Sequence, residues 1–227
     1  MNNETALYGR KVRHLIETYL CDGSRKGLVV LRHSVRHYDT DNPINEPFMG
    51  LTEEGKQASY AWGKALPPVK ELRFFSSFIG RCIETAYLID KGFVAAGGVT
   101  RHNQIESTLS PFYIRDALGL FENYLKGSDF LSTWFNRAVP PKIIDPPEQV
   151  AAAMIAFWKK RLMDEASPAR LDVCVTHDWN LYALRWYLLG IFPDHREKVD
   201  YLDGLVVFRD GNSDYAVSPG HEPRRLE

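Results

Sequence analysis

The chain has 227 residues, of which 44% are hydrophobic and 25% are charged, a composition that is ordinary for a globular protein. Its 28 lysines and arginines nearly balance its 29 aspartates and glutamates, so the formal net charge is −1. This balance argues against nucleic acid or an anionic membrane as the main partner, because both attract proteins with a strongly basic surface.

Three further features indicate the cellular setting. The longest apolar run, residues 150–158, is far shorter than the roughly 20 residues that a membrane-spanning helix needs. The first residues contain neither a basic region nor an apolar core, so no secretory signal is predicted. The cysteines number three, and two of them fall in apolar periodic segments, which argues against a disulfide framework. These features favour a reducing, cytoplasmic location.

Apolar periodicity predicts helices and strands that alternate along the chain. In chain order, the predicted elements are a helix over residues 4–20, a strand over 28–31, a helix over 52–65, a strand over 72–75, a helix through 82–93, a helix over 148–163, a strand over 171–175, a helix through 181–191 and a hairpin of strands 205–208 and 215–217. This alternation predicts an α/β fold of three layers, with helices on both faces of a mostly parallel sheet. Residues 99–147 are less periodic and are predicted to form a small lid or insertion within a single domain that spans residues 1–227.

Polar segments follow three of the predicted strands directly, at residues 32–37, 76–81 and 176–180. In an open α/β sheet the ligand binds beyond the carboxyl ends of the strands, so these segments are expected to meet at one edge of the sheet. The charged and titratable residues that they bring there are Arg32, His33, Arg36, His37, Arg81, His177 and Asp178.

Phosphoryl transfer is the chemistry that these residue types suit best. Arginine binds phosphate oxygens with two parallel hydrogen bonds and keeps its charge at any working pH. A neutral imidazole is a competent nucleophile near pH 7 and can form a covalent intermediate. A carboxyl group held beside a phosphate dianion is protonated more readily, so it can protonate a leaving oxygen and later activate water.

Four motifs resemble, in the same order, those of the histidine phosphatase superfamily, which has the phosphoglycerate mutase-like fold. The segment from Leu31 to Arg36 resembles its Arg-His-Gly signature, and residues 51–55 resemble its L-T-x-x-G segment. Residues 76–86 are similar to its S-S-x-x-x-R-x-x-E-T-A stretch, and residues 175–178 resemble its late histidine motif. Together the motifs imply membership over most of the chain, from about residue 28 to residue 208.

The resemblance implies a role for each matching residue. His33 would be the nucleophile that becomes phosphorylated. Arg32, Arg36 and Arg81 would hold the phosphoryl group, and His177 would complete the pocket and stabilise the group during transfer.

The general acid depends on the branch of the superfamily. The acid phosphatase and phytase branch carries His-Asp at the late motif and uses the aspartate as the proton donor. The sequence His177-Asp178 followed by Asn180 resembles that branch, which implies Asp178 as the general acid and Asn180 as a substrate contact. The mutase-like branch instead takes a glutamate from the insertion, where the acidic candidates are Glu106 and Glu122, with Asp116.

The sequence departs from the family pattern at two positions. Ser34 replaces the glycine that follows the nucleophile, and its hydroxyl is expected to contribute a bond to the substrate. Tyr38 stands where the acid phosphatase branch usually has proline. His37 is interpreted as a pocket-wall or substrate contact, with a surface position as the alternative. The spacing of His33 and His37 would also suit zinc on a helix, but these residues follow a strand and no third ligand is spaced nearby.

The sequence therefore predicts a phosphomonoester hydrolase that acts on a small phosphorylated substrate and needs no metal or other cofactor. Two alternatives stay open: a phosphomutase of the same fold, and a catalytically weak module that binds phosphorylated ligands. The sequence does not indicate the natural substrate or the oligomeric state.

Overall fold

The computed structural model describes residues 8–21, 25–39, 43–101, 103–125, 129–163, 171–194 and 197–226. The helices are α1 (Arg10–Leu20), α2 (Glu53–Lys64), α3 (Gly80–Ala95), α4 (Ala117–Leu120), α5 (Phe130–Phe135), α6 (Pro147–Leu162) and α7 (Asp178–Leu189). The strands are β1 (Gly27–Arg32), β2 (Leu72–Ser76), β3 (Gln104–Ile105), β4 (Leu171–Thr176), β5 (Gly204–Asp210), β6 (Ser213–Val217) and β7 (Arg224–Leu226). Short helical turns are Pro43–Phe48, Ser107–Leu109 and Phe121–Leu125. The predicted helix over residues 4–20 begins outside the described part of the chain.

The strands of the described residues form one sheet in the order β3-β2-β4-β1-β5-β6-β7. The first four run parallel, and the remaining three join as antiparallel neighbours. The predicted α/β fold is confirmed, and the predicted hairpin is the β5–β6 pair. The sequence pattern does not predict the short edge strands β3 and β7. The parallel half brings the carboxyl ends of β1, β2 and β4 to the same edge of the sheet.

Helices cover both faces of the sheet, as predicted. One face packs against α1, α2 and α3, and its buried core includes Ile16, Trp62, Ile89, Phe74, Val173 and Val206. The other face packs against α6 and α7, and its buried core includes Trp158, Leu184, Leu28, Phe75 and Leu205. Successive side chains of a strand point to opposite faces of the sheet, so one nearly continuous apolar run contributes to both cores.

The position of α3 depends on its very close packing against α2. A Cβ atom added at Gly63 would lie 2.0 Å from the carbonyl oxygen of Ile89, and one at Gly92 would lie 2.0 Å from the carbonyl oxygen of Tyr60. The two helix backbones therefore touch at these glycines. This contact fixes the axis of α3, and with it the first turn that carries Arg81 toward the carboxyl edge of the sheet.

Aromatic side chains of residues 99–147 pack into a third core against α7. Trp134 is fully buried, its ring stacks on Tyr113, and its Nε1 atom donates to the carbonyl oxygen of Asp145. Phe130 contacts Trp179 of α7, with ring centroids 4.6 Å apart. The insertion is therefore tied directly to the helix that begins at Asp178. Within the described ranges, no helix is both long enough and apolar enough to cross a membrane.

Candidate active site

The loops after β1 and β2 are joined to the end of β4 by backbone hydrogen bonds. The amide of His33 donates to the carbonyl oxygen of Thr176 at 2.9 Å, and the amide of Ser77 donates to that of Val175 at 3.0 Å. As a result the rings of His33 and His177 lie with their centroids 5.5 Å apart. The convergence expected from the strand ends is thus present in the structure.

His33 is 2% exposed, and its hydrogen bonds define which ring nitrogen carries the proton. Nδ1 lies 2.8 Å from the carbonyl oxygen of Ser34, which can only accept, so Nδ1 is the protonated nitrogen. Nε2 then carries the lone pair, and it accepts from Nε of Arg81 at 3.1 Å. Burial, followed by the nearby His177 and Arg81, lowers the pKa of His33 well below its ordinary value. His33 is therefore neutral at pH 7, with its lone pair on Nε2.

His177 is held as the opposite tautomer. Its Nδ1 atom lies 3.2 Å from Nη2 of Arg81, which can only donate, so Nδ1 accepts. Its Nε2–H then donates to Oγ of Ser77 at 3.0 Å. Burial, followed by the positive charges of Arg81 and Arg36, lowers the pKa of His177 well below its ordinary value. A single guanidinium, that of Arg81, therefore contacts both histidines.

A glutamate that was not predicted from the sequence bridges two of the arginines. Oε1 of Glu46 lies 2.7 Å from Nη2 of Arg81 and 3.1 Å from Nη2 of Arg36. The carbonyl oxygen of Glu46 also accepts from Nη1 of Arg81 at 3.0 Å. Glu46 lies in the Pro43–Phe48 turn, within a segment whose sequence shows only a polar loop broken by prolines. No motif in that segment distinguishes Glu46 from other surface acids.

Arg32 is held by a different carboxylate. Its Nη2 atom lies 2.9 Å from Oδ2 of Asp178, and its Nη1 atom donates to the carbonyl oxygen of Val199 at 2.8 Å. Asp178 is the first residue of α7, and its Oδ1 accepts from the amide of Trp179 at 2.9 Å. The side chain of Asp178 keeps 32% of its surface exposed, so it lies at the pocket wall and remains open to solvent.

A pair of tyrosines supports the two arginines of the first motif. The guanidinium of Arg32 lies 4.3 Å from the ring centre of Tyr201, and that of Arg36 lies 4.0 Å from the ring centre of Tyr38. The two tyrosine hydroxyls are hydrogen-bonded to each other. The Tyr201 ring centre is also 6.0 Å from that of His33. Tyr201 is a second residue that was not predicted from the sequence, because it lies in an irregular segment before β5.

The structure does not bring the three predicted substrate contacts into this group. The Ser34 hydroxyl is fully buried and donates to the carbonyl oxygen of Gly55 at 2.8 Å. Asn180 is also fully buried, and its Oδ1 accepts from the hydroxyl of Tyr113 at 2.9 Å. His37 is exposed, and its backbone carbonyl accepts from Nη1 of Arg36. The side chains of Ser34 and Asn180 therefore bind neighbouring elements, and His37 contacts Arg36 through its backbone.

The acidic residues of the insertion also have structural contacts. Oε1 of Glu106 caps the Ser107–Leu109 turn by accepting from the amide and hydroxyl of Thr108. Oδ1 of Asp116 caps α4 by accepting from the amide of Gly119. Glu122 is exposed on the Phe121–Leu125 turn. The carboxyl groups in contact with the pocket arginines are instead those of Glu46 and Asp178.

Charge and hydrogen-bonding capacity define what this pocket can bind. Three arginines (Arg32, Arg36 and Arg81) face two carboxylates (Glu46 and Asp178), so the group carries a formal charge of +1 while both histidines are neutral. Guanidinium donors around a neutral imidazole have the charge and hydrogen-bonding geometry that suit a tetrahedral oxyanion. Within the described part of the chain, no three His, Cys, Asp or Glu side chains form a group that could hold a metal ion. Fold and site together define an α/β protein with a histidine-containing anion pocket.

The chain belongs to the histidine phosphatase superfamily (branch 1), whose family model matches residues 28–207. The match covers both histidine motifs and the Arg81 motif. It is made to branch 1, so the likeness of His177-Asp178 to the acid phosphatase branch stays a prediction.

Solved structures of similar fold share little sequence with this chain. A mycobacterial glucosyl-3-phosphoglycerate phosphatase is 18% identical, with a TM-score of 0.56, and the match covers 85% of this chain and 90% of that one. YhfR of Bacillus stearothermophilus is 18% identical, with a TM-score of 0.60 and coverage of 87% and 98%. A phosphoglycerate mutase from Bacillus anthracis is 18% identical, with a TM-score of 0.58 and coverage of 87% and 94%. No curated protein matches the chain by sequence.

Proposed function

We propose that this protein hydrolyses phosphomonoesters through a phosphohistidine intermediate at His33. The observation that carries the proposal is the arrangement of His33 Nε2, which is neutral, buried and 3.1 Å from a guanidinium nitrogen of Arg81. Phosphoryl transfer requires a nucleophile next to a fixed positive charge. The transition state is stabilised mainly by positioning and by positive groups that face the negative equatorial oxygens.

In the first half-reaction, Nε2 of His33 attacks the phosphorus atom in line with the ester oxygen. The N–P bond forms as the P–O bond breaks, while Arg36 and Arg81 donate to the equatorial oxygens. Asp178, whose protonation the adjacent phosphate dianion favours, donates that proton to the leaving oxygen, and the alcohol departs. The proton stays on Nδ1, where it is hydrogen-bonded to the carbonyl oxygen of Ser34. The phosphorylated ring therefore carries a positive charge, which favours later cleavage of the N–P bond.

In the second half-reaction, a water molecule attacks the phosphorus atom from the side that the alcohol has left. The carboxylate of Asp178 accepts a proton from that water as the new O–P bond forms. The N–P bond breaks and its electron pair returns to Nε2. Inorganic phosphate is released, and His33 regains its neutral form. The exposed side of Asp178 gives this water access to the carboxylate.

Turnover of an aryl phosphate in the presence of a chelator tests the reaction. We expect the protein to hydrolyse it, and we expect His33→Ala to abolish hydrolysis and the acid-labile phosphorylation of the chain. Loss of activity on chelation would contradict a metal-independent mechanism. Phosphate binding without any turnover would instead support a module that only binds phosphorylated ligands.

The role of Asp178 is tested with a series of leaving groups. Asp178→Asn is expected to slow esters of alkyl alcohols by roughly 10²-fold or more, since those alcohols need a proton to depart, and to slow esters of acidic phenols far less. An equal loss on both classes would mean that Asp178 acts only by orienting Arg32. The measurement is kcat/KM for each ester.

A further inference from the structure

The carboxylate of Glu46 lies on the same guanidinium groups that the proposed reaction needs for the phosphoryl group. Nη2 of Arg81 contacts Oε1 of Glu46 at 2.7 Å and Nδ1 of His177 at 3.2 Å. A second donor of that guanidinium, Nε, contacts Nε2 of His33, and the third, Nη1, contacts the Glu46 carbonyl oxygen. One guanidinium therefore separates the Glu46 carboxylate from the nucleophile. The carboxylate oxygen bridges Arg36 and Arg81, the two groups that would bind an oxygen of the phosphoryl group in the proposed reaction.

Charge balance opposes the presence of both anions in the pocket. The Glu46 carboxylate offsets one positive charge of Arg36 and Arg81, so a phosphate dianion meets a pocket that is one charge less positive than it is without Glu46. Two anions that compete for the same partly desolvated guanidinium groups repel each other strongly, because the surrounding protein screens them less than water does.

The geometry of Glu46 allows its side chain to leave without unfolding the turn that carries it. The side chain is 44% exposed, so solvent is directly accessible to the carboxylate. The backbone carbonyl of Glu46 has its own hydrogen bond from Nη1 of Arg81 at 3.0 Å. That bond can hold the Pro43–Phe48 turn in place while the carboxylate rotates outward.

We propose that Glu46 is an internal anion that occupies the phosphoryl subsite of the free enzyme and competes with phosphate for Arg36 and Arg81. Substrate displaces it toward solvent, and its return favours the release of inorganic phosphate. The proposal rests on the proposed function, since it takes Arg36 and Arg81 to be the phosphoryl-binding groups.

Binding of inorganic phosphate to Glu46→Gln tests the competition. The variant removes the charge and keeps the size of the side chain, and we expect the Kd for phosphate, measured by calorimetry near neutral pH, to fall by about tenfold or more. The inhibition constant of phosphate as a product should fall by the same factor. Glu46→Ala should also lower the Kd for phosphate. Glu53→Gln is the matched control, because it changes the net charge equally on an exposed residue of α2 that pairs with Lys56. Its Kd should equal that of the wild type.

The outcomes separate this proposal from the proposed function. If the wild type hydrolyses aryl phosphates but Glu46→Gln binds phosphate no more tightly than Glu53→Gln, the competition is refuted and the hydrolase is not. If Glu46→Gln binds phosphate as the wild type does and loses turnover of poor leaving groups, Glu46 is a proton donor and the proposal is wrong. If no protein hydrolyses any ester, the proposed function itself fails, whatever the Kd values are.

Discussion

Nε of Arg81 donates a hydrogen bond to Nε2 of His33 across 3.1 Å, and this bond organises the chemistry of the pocket. It requires a lone pair on Nε2, and so it selects the tautomer in which that lone pair faces Arg81. The same guanidinium is bonded to His177, so one fixed positive charge lies beside two imidazoles. A further charge on either ring is disfavoured there, and both rings remain neutral at pH values at which an exposed histidine is protonated.

The two neutral histidines predict a loss of stability in mild acid. Burial and then neighbouring charges lower the pKa of His33 and of His177, whereas in the unfolded chain both return to about 6.5. As pH falls below about 6.5, the unfolded chain therefore binds more protons than the folded one, and the free energy of unfolding decreases. We expect His177→Gln to show a smaller decrease than the wild type between about pH 7.5 and about pH 5, measured by urea denaturation.

The control for this prediction is His14→Gln. The His14 side chain is 76% exposed on α1, so its removal should leave the wild-type decrease intact. Equal decreases in the wild type, His177→Gln and His14→Gln would show that burial of His177 does not contribute to the acid sensitivity.

Because Arg32 stacks on Tyr201, we expect the ring of Tyr201 to contribute more to kcat/KM than its hydroxyl does. Tyr201→Ala removes a cation–π contact worth about 1–2 kcal/mol at a partly desolvated site, so kcat/KM should fall by about tenfold. Tyr201→Phe keeps the ring and loses only the bond to the Tyr38 hydroxyl, and its kcat/KM should stay within about threefold of wild type. The measurement is steady-state hydrolysis of one aryl phosphate by the three proteins. Equal losses in both variants would assign the effect to the hydroxyl pair instead.

A buried ion pair between β2 and β4 predicts a large stability loss when only one partner is removed. Arg73 lies opposite Asp172 in the strand register and binds it through two hydrogen bonds, of 2.8 and 2.6 Å. Both residues are buried, at 7% and 3% exposure. Arg73→Met leaves a buried carboxylate without this cation, so the free energy of unfolding should fall by about 3–5 kcal/mol.

The double variant Arg73→Met with Asp172→Leu is the comparison that separates the loss of one ion of the pair from the loss of packing. It replaces both ions by apolar groups, and it should recover most of the stability lost in the single variant. Urea denaturation of the three proteins measures the difference. A double variant that is no more stable than Arg73→Met would attribute the loss to packing rather than to charge.

The sequence predicted the proximity of those pocket residues that are attached directly to regular elements. Arg32 and His33 leave the end of β1, and Arg81 lies in the first turn of α3, so a rule about strand ends is enough to bring them together. The alternation of apolar strands and helices likewise predicts the sheet and both of its covered faces. Two pocket residues, Glu46 and Tyr201, were not predicted from the sequence. Glu46 reaches the pocket from the short Pro43–Phe48 turn, and Tyr201 reaches it from an irregular segment. Their positions depend on tertiary contacts that no local periodicity encodes.

The sequence was also a poor guide to which side of an element a polar residue faces. Asn180 comes two residues after Asp178 on α7, and residues two apart on a helix point in different directions. Asp178 therefore faces Arg32, while Asn180 faces the aromatic core of the insertion and bonds to Tyr113. Ser34 follows the nucleophile at the point where the backbone passes α2, so its hydroxyl meets Gly55. A motif fixes a residue's neighbours along the chain, but the packed helices decide where its side chain points.

The burial of two of the cysteines predicts that thiol reagents leave the activity of the protein intact. Burial raises the pKa of Cys82 to about 12, although the thiol lies 3.6 Å from His177, and burial raises the pKa of Cys174 as well. The thiolate is the form that attacks a thiol reagent, so neither cysteine should react in the folded state.

Only Cys21 is partly exposed. We therefore expect a disulfide reagent to titrate one of the three thiols of the native protein and all three in denaturant. Hydrolytic activity should be retained after the native reaction, and Cys21→Ser should remove the native signal. Inactivation in step with the modification of a second thiol would mean that the region around Cys82 opens in solution.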